Sequence, residues 1–320
     1  MQPDAESPDT KARHAQQLGM LFAVASAVLF ASKGLFSKAL YQQGVGFELL
    51  VAVRAVLAMP LFAWVALRPA RSGSTAAVQP PPRPRAVLAA AIAGIVGYYV
   101  GALVDFWALT LIDASIERVL LFSYPALVVL VSSLTRRRAP QARVVIAMIV
   151  TYVGIFFAMG GVDLAELRQN LFGAGLVLIA ALTTAIYFLI GERYTHELGG
   201  TRFAAIAMIS AAVLLALHFA IFRSFSELAA LAPHDWLLLG ILAIACMFLP
   251  GLMQAEGVRR VGAQRAAIAS TVGPPTTIVL AALFLGERLN GWQLFGSALI
   301  IISVLVLSLG KSGSPPDSGA

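Results

Sequence analysis

The sequence predicts an all-α integral membrane protein, with ten transmembrane helices arranged as two inverted five-helix repeats. Three observations predict this fold class: the low charge content, the length of the apolar segments, and a weak internal repeat. Of the 320 residues, 59% are hydrophobic and 12% are charged, with a mean hydropathy of +0.84. A soluble domain carries about 25% charged residues. The composition therefore excludes a soluble enzyme or a nucleic-acid-binding domain and makes the lipid bilayer the main expected partner.

Ten apolar segments follow one another along the chain. Each stays apolar for about twenty residues, the length that a helix needs to cross the ~30 Å hydrocarbon core. Strands of a membrane barrel would instead alternate polar and apolar residues over about ten positions. The segments, which we number one to ten, are Leu18–Leu40, Val45–Leu67, Ala86–Ile112, Ala114–Leu134, Ala142–Met159, Leu171–Ile190, Phe203–Phe222, Trp236–Gln254, Ala266–Leu285 and Trp292–Leu309.

Polar stretches divide the chain into five parts. The N-terminal stretch lacks the apolar core of a signal peptide, so the first segment is expected to stay as a membrane span. We expect a cytoplasmic N-terminal tail at 1–17, a first repeat at 18–160, a linker at 161–170, a second repeat at 171–310, and a disordered C-terminal tail at 311–320.

The distribution of positive charge predicts the orientation. With the N-terminus in the cytoplasm, most of the 23 lysine and arginine residues fall on the cytoplasmic side. Because cytoplasmic loops are enriched in these residues, both termini are predicted to be cytoplasmic. The net charge of +7 is then explained by loops rather than by a nucleic-acid partner.

A shift of 149 residues aligns segment four with segment nine. In both copies a small residue, Ala114 or Ala263, is followed eleven positions later by a proline. The same shift places Asp105 on Gln254. Five segments per repeat is an odd number, which requires the two halves to be inverted in the membrane. The alternative explanation is that apolar helices look alike under any shift.

The prolines and their flanking residues resemble a known family. Pro125 and Pro274, with Leu285-Gly286-Glu287-Arg288 after the second of them, resemble the EamA-type repeat of the drug/metabolite transporter superfamily. The run Phe106-Trp107-Ala108-Leu109, followed by Ala114-Ser115, is similar to the same repeat. The resemblance implies ten helices, inverted repeats and a central cavity for a small-molecule substrate. It also favours the cytoplasmic (inner) membrane of a bacterium.

The first repeat departs from the family pattern at one position. It has Arg136-Arg137-Arg138 where the second repeat has Leu285-Gly286-Glu287, so that motif occurs once in this chain.

Five ionisable side chains lie within or at the ends of apolar segments, where burial costs several kcal/mol unless a cavity or a partner receives them. Arg54 lies near the middle of segment two. At ~1.5 Å per residue, Lys33 and Asp105 lie about 6 and 10 Å outward of the centres of their segments. Glu117 and Arg118 open segment four on the same side, so these four are expected to meet in the outer half of the bundle.

Two interpretations of this cluster stay open. In the first it forms the outer part of a substrate site or gate. Arg54 and Lys33 would then attract a carboxylate or phosphate, and Asp105 and Glu117 would bind an amine or a coupling proton. In the second, Glu117 pairs with Arg118 at a loop end while Lys33 snorkels towards the membrane surface.

Aromatic, polar and kink residues complete the predicted cavity. A tyrosine in a membrane helix also serves as packing or as an interfacial anchor, and charges at a cytoplasmic helix end are commonly solvated. Prolines free backbone carbonyls, which lipid tolerates only inside protein or along a cavity. The further candidates for substrate binding or gating are Tyr98, Tyr124, Tyr187, Gln254 and Glu256, and the candidate helix kinks are Pro125, Pro250, Pro274 and Pro275.

Enzyme motifs are missing from the sequence. Gly310-Lys311-Ser312 lacks the upstream glycine of a phosphate-binding loop, and the four histidines show no metal-ligand spacing. We therefore expect no enzymatic activity, no cofactor and no metal. The sequence favours a secondary carrier or facilitator that exports a small metabolite, such as an amino acid, by alternating access, with or without coupled protons. A membrane-embedded enzyme or a non-transporting scaffold is the alternative, and the oligomeric state is left open.

Overall fold

The computed structural model describes residues 8–67, 83–111, 117, 120–137, 139–158, 171–285 and 291–308. Within these ranges all of the regular secondary structure is helical. The sequence-based predictions that fall outside the described residues concern Arg118, the Ala114-Ser115 pair, Gly286 to Arg288, the linker 161–170 and the tail 311–320.

All ten apolar segments contain helix in the described residues. In the first repeat the helices are Pro8–Ala31 and Lys33–Gln42, Phe47–Leu67, Pro84–Gly94 and Gly101–Ala108 joined by the π-helix Ile95–Val100, Tyr124–Arg136, and Ala142–Ala158. In the second repeat they are Leu171–Leu198, Gly200–Phe222, Ser226–Ala229, Pro233–Ala243, Leu249–Val261, Ala263–Ala269, Gly273–Leu285 and Gly291–Ser308. The π-helix Ile244–Phe248 joins Pro233–Ala243 to Leu249–Val261, and the 3-10 turn Ser270–Val272 joins Ala263–Ala269 to Gly273–Leu285.

Six of the described helical stretches are long and apolar enough to cross a membrane. They are His14–Ala31, Phe47–Leu67, Pro84–Ala108, Leu171–Leu198, Gly200–Phe222 and Pro233–Val261. Three further apolar helices are shorter: Tyr124–Thr135, Ala142–Phe157 and Gly291–Val306. The prediction of an all-helical, multi-pass membrane protein is therefore confirmed, and the number ten stays a prediction.

Two helices extend beyond the apolar segments that the sequence defines. The first helix is described from Pro8 to Ala31 and so includes part of the stretch 1–17, where helix-forming residues occur. The helix of segment six continues past Ile190 to Leu198 and ends where Gly199 adopts a φ of +79°. A glycine at this position ends the helix without a steric penalty.

Segment one is interrupted at Ser32, although the sequence predicts one continuous helix. The Ser32 Oγ donates a hydrogen bond to the Leu29 carbonyl at 2.7 Å, and the Ser32 backbone N–H points to the same oxygen at 3.3 Å. A serine that bonds back to its own helix competes with the regular ladder and bends it. The break makes Lys33 the first residue of a separate helix.

Segments one and eight pack antiparallel over a long distance. A Cβ on Gly19 would lie 2.6 Å from Arg260 Cβ, so the two backbones are close at that end. Further along, the Ser26 Oγ donates to the Pro250 carbonyl at 2.9 Å. Segments three and six form the corresponding pair, because a Cβ on Gly101 would lie 2.5 Å from the Thr183 Oγ1. Small residues permit such close helix contacts in a membrane.

Segments five and ten form a third antiparallel pair. The hydroxyls of Thr151 and Ser303 lie 2.7 Å apart, and the Ser303 Oγ donates to the Ala147 carbonyl at 2.7 Å. At one end of this pair, the rings of Phe157 and Trp292 stack with centroids 5.3 Å apart. Hydrogen bonds between hydroxyls and backbone carbonyls join helices inside a bilayer.

Each predicted kink lies beside irregular helix. Pro125 is separated by one residue from the turn at Phe122 and Ser123, and Pro250 is separated by one residue from the second π-helix. Pro274 and Pro275 follow the 3-10 turn at the centre of segment nine, and all four prolines are buried. Pro60 lies inside Phe47–Leu67 without interrupting it. Proline is thus accompanied by a break at the predicted positions, but proline alone does not impose one.

The buried core has two main parts, which meet near the middle of segment three. One part contains Phe62, Phe106 and Met208, from segments two, three and seven. The other contains Tyr187 and Phe203, from segments six and seven. Tyr98 packs against both parts.

Candidate functional site

A salt bridge connects the break in segment one to segment three. The Lys33 Nζ lies 3.4 Å from Asp105 Oδ2, with the Asp105 side chain 8% exposed and the Lys33 side chain 24% exposed. The other carboxylate oxygen, Asp105 Oδ1, is buried and has no hydrogen-bond partner among the described residues. The structure therefore brings together the two residues that helical rise places at similar depth, and one acceptor of the pair is left unused.

Arg54 is buried beside this pair, with 6% of its surface exposed. Its Cζ lies 4.7 Å from the centroid of the Phe106 ring, and Lys33 Nζ lies 4.8 Å from the same centroid. Both cations are thus at cation–π distance from one ring. Arg54 Nε has no hydrogen-bond partner, and no carboxylate in the described part of the chain lies within ion-pairing distance of the guanidinium.

Four side chains surround Arg54 within electrostatic range: Tyr41, Tyr98, Asp105 and Cys246. The Tyr41 hydroxyl is buried and has no hydrogen-bond partner within the described ranges. The Cys246 Sγ lies 3.2 Å from the Ser32 Oγ, so the second π-helix touches the break in segment one. The site therefore combines residues from segments one, two, three and eight.

Glu117 is buried and lies within electrostatic range of Tyr41, as Asp105 does. It has an interaction partner of its own. Arg118, its expected neighbour in the cluster, lies outside the described residues.

The three predicted tyrosines belong to one buried aromatic group. Tyr98 and Tyr187 meet edge to face with centroids 4.9 Å apart, and Tyr187 packs on Phe188 at 6.4 Å. Tyr124 packs on the other side of this group, 5.5 Å from Phe188, and its hydroxyl donates to the Ala267 carbonyl at 3.3 Å. Because Tyr98 is also close to Arg54, the aromatic group continues the polar site into the second repeat.

Glu256 belongs to a different cluster. Its carboxylate accepts hydrogen bonds from Arg259 Nε at 2.8 Å and from Arg260 Nε at 2.7 Å, at the end of segment eight. This arrangement is a local ion-pair network, and among the described residues no hydrogen bond or ion pair joins it to Lys33 or Asp105. Gln254 is buried two residues earlier in the same helix.

Several residues around the site are missed by the sequence reasoning. Phe106 is recognised there only as part of a family motif, although its ring holds both cations. Ser37 and Tyr41 follow Lys33 at spacings of four, which places all three on one helix face. That spacing is the signal that could have identified Tyr41. Among the described residues, no group of three or more His, Cys, Asp and Glu could hold a metal ion.

Two known proteins similar to this chain are transporters by name. The EamA-like transporter family matches residues 17–160 and 171–309. The uncharacterized transporter YcbK of Bacillus subtilis is 30% identical over 286 residues, which cover 87% of this chain and 88% of that protein. The uncharacterized transporter sll1319 of Synechocystis sp. is 26% identical over 215 residues, covering 64% and 61% of the two chains.

A solved crystal structure superposes on this chain with a TM-score of 0.72 at 17% identity, covering 91% of this chain and 96% of the other. That likeness shows a shared fold alone. The family match extends over both repeats and most of the chain, as the resemblance in the sequence predicts. This protein therefore belongs to the EamA-like transporter family of the drug/metabolite transporter type, as a multi-pass membrane transporter with two repeats.

Proposed function

We propose that the protein is a secondary carrier that exports a small polar metabolite, such as an amino acid or a related compound, by alternating access. The observation that carries this proposal is the group formed by Lys33, Arg54 and Asp105 around the Phe106 ring. Charged side chains in the interior of a membrane bundle are costly and commonly mark a substrate or ion pathway. A carrier needs such a group between its repeats, because its solute must be held while either side opens.

Ten crossings in two inverted repeats are part of the same proposal. The antiparallel pairs support it. Segment one of the first repeat corresponds to segment six of the second, and segment three corresponds to segment eight. The pair of segments one and eight is therefore equivalent to the pair of segments six and three. The two π-helices, Ile95–Val100 and Ile244–Phe248, begin 149 residues apart, the same shift that aligns segments four and nine. Two halves that repeat their packing in this way can exchange conformations around a central site.

The candidate residues take different places in this carrier. Lys33, Arg54, Asp105 and Tyr98 form its charged part, and Tyr187 continues that part towards the second repeat. The remaining candidates are proposed to line or gate the path: Glu117, Arg118, Tyr124, Gln254 and Glu256. The irregular turns beside Pro125, Pro250, Pro274 and Pro275 are proposed to allow bending.

The proposed location is a bacterial cytoplasmic membrane, with both termini in the cytoplasm. Arg259 and Arg260 then end segment eight on the cytoplasmic side, where positive residues are enriched. Export is the proposed direction.

Counterflow in proteoliposomes tests the carrier. Vesicles are loaded with an unlabelled mixture of amino acids, monocarboxylates and sugar phosphates, and the transient uptake of each labelled compound is followed. We expect uptake of at least one compound above that of empty vesicles. No exchange of any solute by folded protein would contradict the carrier.

A second series with a pH gradient tests proton coupling. Asp105→Asn should abolish any dependence of uptake on the gradient, and an unchanged dependence excludes Asp105 as the proton site.

A further inference from the structure

We propose that the site binds a small organic anion with a single carboxylate, and that Arg54 is the residue that receives it. This inference rests on the proposed carrier function and narrows its small polar metabolites to carboxylates without an ammonium group, so that a zwitterionic amino acid is no longer the expected substrate. It assigns different tasks to the two cations, which the sequence alone does not separate.

Lys33 is already occupied in the structure. Its Nζ is 3.4 Å from Asp105 Oδ2, so its charge is balanced inside the protein. Arg54 has no ion pair of its own among the described residues: its Nε is unpartnered, and Asp105, which lies within electrostatic range, is paired with Lys33. An uncompensated buried cation is expensive in a low-dielectric interior. The cost falls when a ligand supplies the missing anion.

The charge balance of the site favours a monoanion. Lys33 and Arg54 are two cations and Asp105 is one anion, so the group around Phe106 carries one excess positive charge. The buried Glu117 acts on Tyr41, has an interaction of its own and is not among the groups within electrostatic range of Arg54, so it is not counted in this group. A monocarboxylate neutralises that charge. A zwitterionic amino acid leaves it in place and adds an ammonium group that competes with Lys33 for Asp105. A phosphate monoester, which carries about −1.5 to −2 charge at neutral pH, overcompensates it.

The geometry of arginine fits a carboxylate. The planar guanidinium donates parallel hydrogen bonds to the two oxygens of a carboxylate, and its ring contact with Phe106 fixes its plane. The Tyr41 hydroxyl is buried, unpartnered within the described ranges and within electrostatic range of Arg54, so it supplies a further donor. The free Asp105 Oδ1 is an acceptor and can receive a hydroxyl of the ligand. A small hydroxycarboxylate therefore satisfies the donors and the acceptor together.

Four compounds with the same three-carbon skeleton test this inference. Lactate is a hydroxycarboxylate, propionate lacks the hydroxyl, alanine is the zwitterion, and lactamide is neutral. Each is titrated against the purified protein in detergent, and the shift in melting temperature is followed to saturation. We expect the smallest apparent Kd for lactate, a larger one for propionate, and no saturable shift for alanine or lactamide. Glycerol phosphate, added as a fifth probe, distinguishes a carboxylate site from a phosphate site.

Three variants and a matched control attribute the binding to Arg54. Arg54→Gln should weaken lactate binding about 10- to 100-fold, since it removes a charge-assisted pair. Should that variant fail to fold, Arg54→Lys keeps the charge without the planar fork, and Tyr41→Phe removes one hydroxyl. Both should weaken binding several-fold. Arg85→Gln removes an arginine charge from an exposed helix start and should leave lactate binding unchanged.

The outcomes separate this inference from the carrier proposal. If Arg54→Lys and Tyr41→Phe both bind lactate with the apparent Kd of the parent protein, the proposed role of Arg54 is overturned. The absence of a shift with every carboxylate, or a larger shift with alanine or glycerol phosphate, overturns the substrate class. Neither result requires transport, so both leave the counterflow test of the carrier intact. Conversely, carboxylate binding without any counterflow contradicts the carrier and leaves the anion site standing.

Discussion

The ion pair between Lys33 and Asp105 predicts a coupling that a double-mutant cycle measures. Asp105→Asn removes the anion and leaves Lys33 and Arg54 as two cations beside one Phe106 ring. Lys33→Gln removes the cation and leaves a buried carboxylate without its ion-pair partner. The double variant carries neither charge. Arg54 stays charged in every variant, so we expect Asp105→Asn, which leaves two cations without an anion, to be less stable than the double variant.

The magnitude follows from the geometry. Two unit charges 3.4 Å apart attract each other by roughly 5 kcal/mol when the effective dielectric constant is about 20. Desolvation offsets part of this attraction, and Lys33 keeps partial contact with solvent. We expect a coupling free energy of about 2 kcal/mol, within the range seen for residues in direct contact. Asp105→Asn should be the more damaging single change, because it brings two cations together without an anion.

The assay is the free energy of unfolding in mixed detergent micelles, measured for the parent protein, both single variants and the double variant. Gln and Asn keep the size of the side chains, so the cycle isolates charge. Additive effects, with a coupling near zero, would refute the reasoning. They would show that the charges do not interact, and that Lys33 is free to receive a ligand anion in place of Arg54.

Three further predictions concern helix contacts. Gly94→Ala places a Cβ 1.9 Å from the Ala207 carbonyl oxygen, so segments three and seven must separate, and we expect a loss of about 1–3 kcal/mol in the same unfolding assay. Glu192→Gln weakens a carboxylate cap on the backbone N–H of Ala263, the first residue of the helix Ala263–Ala269, at 3.1 Å, and should cost about 1 kcal/mol in the same assay; an unchanged stability would contradict the cap. Cys246, the sole cysteine, is buried against Ser32 and should react with a maleimide about tenfold or more slowly than in the SDS-unfolded protein; equal rates would exclude that position.

The sequence predicts the helical architecture well, for a physical reason. Long apolar runs have few alternatives in a bilayer, because backbone groups must be satisfied within the segment. Helical rise then places Lys33 and Asp105 at similar depth, and their charges account for the contact. Once a segment is known to be a membrane helix, residue spacing is therefore sufficient to predict how deep a residue lies in the membrane.

Contacts that depend on the packing and rotation of neighbouring helices cannot be predicted from residue spacing. The break at Ser32 depends on a side-chain bond that competes with the helix and on the neighbouring Cys246. The position of Arg54 on the ring of Phe106 depends on the rotation of two helices about their axes. Apolar sequences specify that rotation weakly, because most faces of such a helix are equally apolar.

The two repeats have corresponding helices but carry different charged residues at equivalent positions. A shift of 154 residues aligns segment one with segment six, placing Gly19 on Gly173 and Lys33 on Tyr187, and the shift of 149 places Asp105 on Gln254. Segment one is broken at Ser32, whereas the helix of segment six is continuous through the equivalent region. If the halves exchange these conformations, as alternating access in inverted repeats requires, Lys33 and Asp105 would take up the present arrangement of Tyr187 and Gln254. The Tyr187 hydroxyl has no hydrogen-bond partner among the described residues, so that arrangement contains no contact equivalent to the ion pair. The salt bridge would then hold one of the two states and open in the other, which makes its strength a determinant of their balance.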